Sequence, residues 1–299
     1  MTKSSVISRA FRAYSAFFGT ANQNLEAPLS SFPFVSGDTF LQMAAHVIGD
    51  AAEQHRSVPE PKICFASAPA AARSDFLDHA KQFLQRQESG TFILLIHNGD
   101  LIPSEGVLEQ LGDLFHRVYC VNVTSETSNV RALPIGLENA RLNNNGRLNY
   151  YLEGLEEPHS NNRPRLVVSS FHVGNNPSVR QPAADLFRAS RFGFDGHSWK
   201  RKEYRDVLKD TCFVISPPGN GAECHRTSAF IYLRAVPVVL KKHLGPSLLD
   251  GMPILAVDSY EEFLQMSDDR LRDTYSKLRE KPADVAFSAH WIREFSKWQ

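Results

Sequence analysis

The sequence predicts an α/β protein of two Rossmann-like parallel-sheet domains facing across a cleft, and three observations lead there. Short apolar runs alternate with helix-length stretches along both halves of the chain, the order expected of strand–helix–strand units. The chain has 299 residues, long enough for two separate hydrophobic cores. Between the halves, Asn143-Asn144-Asn145-Gly146-Arg147 to about Arg163 is polar and has the best linker composition in the chain. The expected division is residues 1–155, residues 156–282 and a terminal helix over residues 283–299.

Composition narrows the function. The 33 basic residues balance 33 acidic ones, which argues against a nucleic-acid binder with its usual basic excess. Cys64, Cys120, Cys212 and Cys224 are widely spaced and form no CxxC pair; a reducing cytoplasm fits them best. No run of 18 apolar residues occurs, so nothing is expected to span a membrane. Neither a GxGxxG fingerprint nor a P-loop is present.

Taken in order, residues 1–22 carry Lys3, Arg9 and Arg12 without an acid. They read either as a basic amphipathic helix touching the inner membrane face or as a helix packed on its own domain. A helix is expected from about Phe40 to Gln54, capped by Asp38 or Thr39. Ile63–Ala66 reads as a strand and Ser74–Arg86 as a helix. Thr91–Ile96 is the strongest strand of the first half and ends in the polar turn His97-Asn98-Gly99-Asp100. Ligands of open α/β sheets collect at such carboxyl ends. His97 and Asp100 are therefore candidates for acceptor contact or proton abstraction, with an Asx turn serving the backbone as the alternative. A helix over Val107–Leu114 and a strand over Arg117–Asn122 follow. Beyond the turn in Ala132–Asn139, Glu138 and Asn139 face the cleft, or else Glu138 pairs with Arg131 or Arg141.

The second half opens with a strand, Arg165–Ser170, and a polar loop leading to Arg180. This residue is a candidate diphosphate partner, because a guanidinium fork suits that group bidentately; a solvated arginine is the alternative. After a helix over Tyr204–Lys209, Thr211–Ile215 is apolar enough for a core strand, and Ser216-Pro217-Pro218-Gly219-Asn220-Gly221 is turn chemistry. A helix can run from Ala222 to Ala235, and Val236–Leu240 returns as a strand. A glycine loop opening a helix offers free N–H groups and the positive end of the helix dipole. His225 and Arg226 fall in the first turn, where the dipole disfavours cations by up to ~1 kcal/mol each. A bound phosphate reverses that sign. Ordinary solvated surface charges are the alternative. Pro253–Val257 reads as a strand, Tyr260–Glu280 as one helix and Ala283–Trp298 as another. Asp268-Asp269, mid-helix in this reading, is no metal-binding D-x-D, and no metal site or cofactor is expected.

Ser216-Pro217-Pro218-Gly219-Asn220-Gly221, Cys224-His225-Arg226-Thr227 and Val236-Pro237-Val238-Val239 resemble the C-terminal signature of exostosin-like glycosyltransferases, many of them bacterial enzymes of surface-polysaccharide synthesis. The resemblance covers most of the chain from Pro33 to Val239. It implies a GT-B fold, a nucleoside-diphosphate sugar (UDP- or GDP-linked) held by the second domain, a glycan or lipid-linked glycan acceptor, inversion at the anomeric carbon, and a terminal helix that crosses back to the first domain. Ser216, Pro217, Gly219, Asn220, Gly221, His225, Arg226 and Thr227 would hold the donor, with Asn175 and Arg180. Ser36, Gly37, Asn98, Glu138 and Asn139 would line the acceptor side. Asp38, His97, Asp100, Glu138 and Glu223 are the candidate bases. The sequence departs from the family pattern at three places. Glu223 stands for an aspartate, Ser228-Ala229 for the Trp-Glu pair whose carboxylate holds the ribose, and Arg234 for a glycine. The second of these leaves open a degenerate protein that binds nucleotide or glycan without turnover.

Overall fold

The structure, a computed structural model, describes residues 8, 12, 30–49, 62–87, 90–142, 148–156, 163–196 and 199–298. The stretch considered for membrane contact therefore lies outside the described residues except at 8 and 12, as does most of the expected linker. No helix among the described residues is long and apolar enough to cross a membrane.

Five strands build the first sheet: β1 (His46–Val47), β2 (Ile63–Ser67), β3 (Ile93–His97), β4 (Arg117–Cys120) and β5 (Val130–Ala132), each parallel to its sequence neighbour. Four build the second: β6 (Arg165–Val168), β7 (Thr211–Ile215), β8 (Val236–Leu240) and β9 (Leu255–Val257), again parallel and in sequence order. Because the first order never reverses, right-handed crossovers place the connecting helices on one face. Residue alternation along the strands follows. Cys64, Ala66, Leu94, Ile96 and Val118 pack toward the Phe76–Gln85 and Glu105–Leu114 helices, through Phe76, Phe83, Leu108 and Leu111. Ile63, Phe65, Ile93, Leu95 and Tyr119 point to the opposite face.

That opposite face is covered by the two ends of the described chain. Phe40 and Met43 come from the Gly37–Met43 helix, and Trp291, Ile292 and Phe295 from the Ser288–Phe295 helix. The helix layer of the first sheet merges with that of the second into one core, where Phe34 lies 4.3 Å from Tyr232, ring centroid to centroid. Two parallel sheets joined in this way, with loops from their carboxyl ends in contact, make a GT-B-like arrangement.

Three sequence expectations fail locally. The helix expected over Phe40–Gln54 stops at Met43, because Ala45 and Ile48 donate to Ile63 O and Phe65 O, at 2.9 Å each, and draw the chain into β1. Sheet pairing of a β-branched edge outweighs helix propensity here. Ser36, not Asp38 or Thr39, is the N-cap, its Oγ accepting from Thr39 N at 3.3 Å. The single helix expected over Tyr260–Glu280 is two, Tyr260–Leu264 and Asp268–Glu280, the second capped by Ser267. Asp268 and Asp269 therefore sit in a first turn, where the helix dipole favours acids.

Candidate functional site

The second-domain wall of the site begins where β7 ends. Ser216 N still donates to Val238 O at 2.9 Å, and its hydroxyl lies 2.9 Å from that of Thr227. Arg180 collects the carbonyls of Pro217 and Pro218, the first of which also accepts from Cys224 Sγ at 3.5 Å. Its Nε donates to Pro218 O at 2.7 Å, Nη2 to Pro217 O at 3.4 Å and Nη1 to His172 O at 2.8 Å. Arg180 is 2% exposed, and burial holds its pKa below the ordinary arginine value. It is a strut beneath the loop, neither the open diphosphate partner nor the solvated side chain that the sequence allowed. Five N–H donors in a fixed fork suit a guanidinium to that task.

Asn176 Nδ2 holds the far side of the loop through Gly219 O at 2.7 Å. The neighbouring Asn175, the candidate from sequence, is exposed and accepts from His172 Nδ1 at 3.1 Å. Asn220 is the exposed tip, between buried Gly219 and Gly221. The His225–Tyr232 helix then starts, with Cys224 as its N-cap. Arg226 and His225 are half-buried and anchored sideways: Arg226 Nη1 donates to Ser170 O at 2.7 Å, and His225 Nδ1 to Gly136 O of the first domain at 3.0 Å.

The first-domain wall is a network around the end of β3. Asn98, in the left-handed region at φ 60°, donates its N–H to His97 Nδ1 at 2.7 Å, while His97 Nε2 donates to Pro134 O at 3.2 Å. Asn98 Oδ1 accepts from Asn139 Nδ2 at 2.9 Å, and Asn139 Oδ1 from Asp38 N at 3.0 Å. Asp38 Oδ2 in turn accepts from Ala140 N at 3.2 Å. Gly37 makes the approach possible, since a Cβ there would stand 1.6 Å from Asn98 Oδ1. His97 is 2% exposed with both ring nitrogens engaged, and burial pushes its pKa down to about 4. It is a neutral structural imidazole rather than a base open to substrate. Asp100 is exposed in the same turn, Asp38 is partly exposed, and Glu138 is half-buried.

The two walls meet at Glu223. Its N–H donates to Asn122 Oδ1 at 2.9 Å, and its Oε2 accepts from Ile135 N at 3.0 Å. Oε1 is buried without a hydrogen-bond partner among the described residues, and Glu223 is 4% exposed. Burial pushes its carboxyl up to about 8, against the opposing pull of the Ile135 N–H. A carboxylic acid sealed in this way is a joint between domains and not an exposed base.

No family model matches the sequence, and no curated protein matches it. Among solved structures the chain is similar, at 10% identity, to the Candida albicans trehalose-6-phosphate phosphatase N-terminal domain, with a TM-score of 0.42 over 79% of this chain and 69% of that one. At 10% identity it is also similar to an α1,3-fucosyltransferase, with a TM-score of 0.41 over 82% of this chain and 78% of that one. At that distance neither carries an activity across to this protein.

Sequence reasoning missed Asn122 and Asn176. Asn122 follows the carboxyl end of β4 with φ 61°, so the logic that singled out His97 after β3 applies to it equally. Asn176 precedes a proline that opens the Pro177–Arg188 helix, an N-cap signal. Inside the joint, a cavity of about 10 Å³ among Ser216, Glu223, Thr227, Val239 and His243 has room for about one water. That cavity is too small for a nucleotide; on the outer side of the loop Asn220 and Asn175 are exposed and Arg226 is half-buried, and Asp100 is exposed in the turn after β3.

Proposed function

We propose that this protein is a glycosyltransferase moving a sugar from a nucleoside-diphosphate sugar, UDP- or GDP-linked, to a glycan or lipid-linked glycan. The observation that carries the reading is the start of the His225–Tyr232 helix, with His225 and Arg226 in its first turn, placed where loops from the carboxyl ends of two parallel sheets touch. The resemblance of Ser216–Thr227 to exostosin-like enzymes supports the same reading.

In the proposed reaction the acceptor hydroxyl oxygen bonds to the anomeric carbon as the bond to the diphosphate breaks. The electron pair leaves with the diphosphate, and the hydroxyl proton passes to a carboxylate. Helix-start N–H groups and Arg226 stabilise the leaving charge, each well-aimed donor contributing ~3 kcal/mol at the transition state. That stabilisation is what a metal ion would otherwise supply, so transfer is proposed to be metal-independent, and inverting as in the resembling family. Of the candidate bases, Asp100 and Asp38 keep exposed surface, whereas His97 and Glu223 are sealed. Asp100 is the proposed base.

Calorimetric titration with UDP, GDP, ADP, CMP and dTDP, with and without magnesium, tests the donor site. One nucleoside diphosphate should bind without metal, and Arg226→Ala should weaken it about tenfold, a charge-assisted contact of ~1.4 kcal/mol. Unchanged affinity in Arg226→Ala would remove the cradle. Loss of transfer in EDTA with recovery on adding a divalent ion would remove the metal-free mechanism. A second reading, binding without turnover, is favoured by Ser228 and Ala229: the first is fully buried, and neither supplies a carboxylate for a ribose. Binding of a nucleotide sugar with neither hydrolysis nor transfer would select it.

A further inference from the structure

The Lys241–His243 turn, which follows β8, reaches the domain joint from the side of the second sheet. His243 borders the cavity of about 10 Å³ there, together with Glu223, Ser216 and Thr227. Val239 and Leu244 supply apolar wall.

Two polar atoms of these bordering residues lack a bond. Glu223 Oε1 and His243 Nε2 are both buried, and neither has a hydrogen-bond partner among the described residues. They therefore do not bond each other, although both residues border the same small space. The other carboxyl oxygen of Glu223 is already taken, since Oε2 accepts from Ile135 N at 3.0 Å. Leaving either atom unpaired carries the full desolvation cost of a buried polar group.

The chemistry of the two groups selects what can stand between them. Burial pushes the Glu223 carboxyl up to about 8, so below that pH it has a proton to donate. Burial, and then the like charge of Lys242, hold His243 below its ordinary value, so its ring is neutral. Neither a cation nor an anion finds a counter-charge in such a pair. Water is donor and acceptor at once and serves both atoms whichever ring nitrogen carries the proton. The hydroxyls of Ser216 and Thr227, 2.9 Å apart, keep acceptor capacity for its further bonds. A buried water makes about three bonds of this kind.

We propose that a single buried water occupies this cavity and bridges the Glu223 carboxyl to the His243 imidazole, latching the loop after β7 to the turn after β8. The latch joins two contacts with the first domain that are otherwise separate. Glu223 makes one of them through Ile135 and Asn122. The chain just beyond His243 makes the other, where Ser247 N donates to Glu126 Oε1 at 3.3 Å. Gly245 packs so closely there that a Cβ would stand 2.5 Å from that of Ala132. The water ties these contacts together, so that loosening one loosens the other. The site does not depend on the transferase reading, and either can fail alone.

A crystal structure of the full chain near pH 6, with ordered waters visible, tests occupancy directly. One water should lie within hydrogen-bond distance of both Glu223 and His243. A dry cavity, a direct bond between the two side chains or a bound ion would each overturn the proposal. A double-mutant cycle tests the coupling. Glu223→Leu and His243→Leu should each lower the thermal midpoint, because each leaves the water and the facing group short of a partner. The pair together should lower it by clearly less than the sum of the two, since no buried polar group is then left waiting. Loss of the Ile135 contact is common to Glu223→Leu and the pair, so it cancels. Additive losses would overturn the latch. Should a leucine variant not fold, the cavity of the parent protein still decides.

Discussion

Glu223 and His97 are tied to adjacent residues, Ile135 and Pro134, and titrate in opposite senses. An unfolded glutamate releases its proton near 4.5, whereas Glu223 in the folded chain holds it to about 8. Its contribution to stability is therefore complete below about 4.5, falls as pH rises through that window and is lost above it. His97 is shifted from 6.5 down to about 4, so its contribution is complete above 6.5 and falls as pH drops toward 4. The Glu223 effect amounts to a few kcal/mol at most, since each tenfold change in proton affinity is worth on the order of 1.4 kcal/mol. Glu223→Gln should remove it. In urea unfolding at pH 5 and pH 8.5 the parent protein should lose stability at the higher pH, whereas the variant, left with the opposite His97 effect, should gain it. Parallel changes would mean that the carboxyl is ionised in the folded joint.

At the scale of elements, the start of the Gly37–Met43 helix is pressed into the end of β3. Gly37→Ala would set a methyl group 1.6 Å from Asn98 Oδ1 and 2.7 Å from His97 Nδ1. We expect a loss of about 1–3 kcal/mol from overpacking, read as a lower thermal midpoint, because the side chains that must yield, Asn98 and buried His97, are held by Asn139 and Pro134 O. A midpoint unchanged from the parent would show that the Asn98–Asn139–Asp38 network can move aside. Elements with a clear pattern were legible in the sequence: Thr211–Ile215 folds as read, and the strand read over Thr91–Ile96 forms two residues later and takes in His97, as Ile93–His97. His46–Val47 was not legible, because its pairing with β2 is a tertiary choice that a local helix pattern hides. The loop at Ser216 was legible as turn chemistry, yet the partners of its carbonyls were not. Nothing local tells Arg180 as a strut from Arg180 as a ligand, since the difference lies in which carbonyls, 37 and 38 residues away, need a donor.

The whole molecule depends on the Ser288–Phe295 helix lying over the first sheet. Trp291 meets Phe40 and Tyr119 edge to face, with centroids 5.6 and 5.7 Å apart, and the Tyr119 hydroxyl donates to Glu294 at 3.0 Å. Trp291→Ala should cost about 3–5 kcal/mol, measurable in denaturant, with the same loss seen by probes in either half because the two helix layers share a core. A loss seen only in the first half would separate the cores. The covering of this sheet also sets a timetable for synthesis. A nascent chain usually completes its first domain while the ribosome is still making the next. Here Ile63, Phe65, Ile93 and Leu95 emerge some two hundred residues before Trp291 and Phe295, the rings that cover them, at roughly 5–20 residues per second. For that interval the growing protein carries a greasy, unfinished face, which closes only once the Ser288–Phe295 helix has been made.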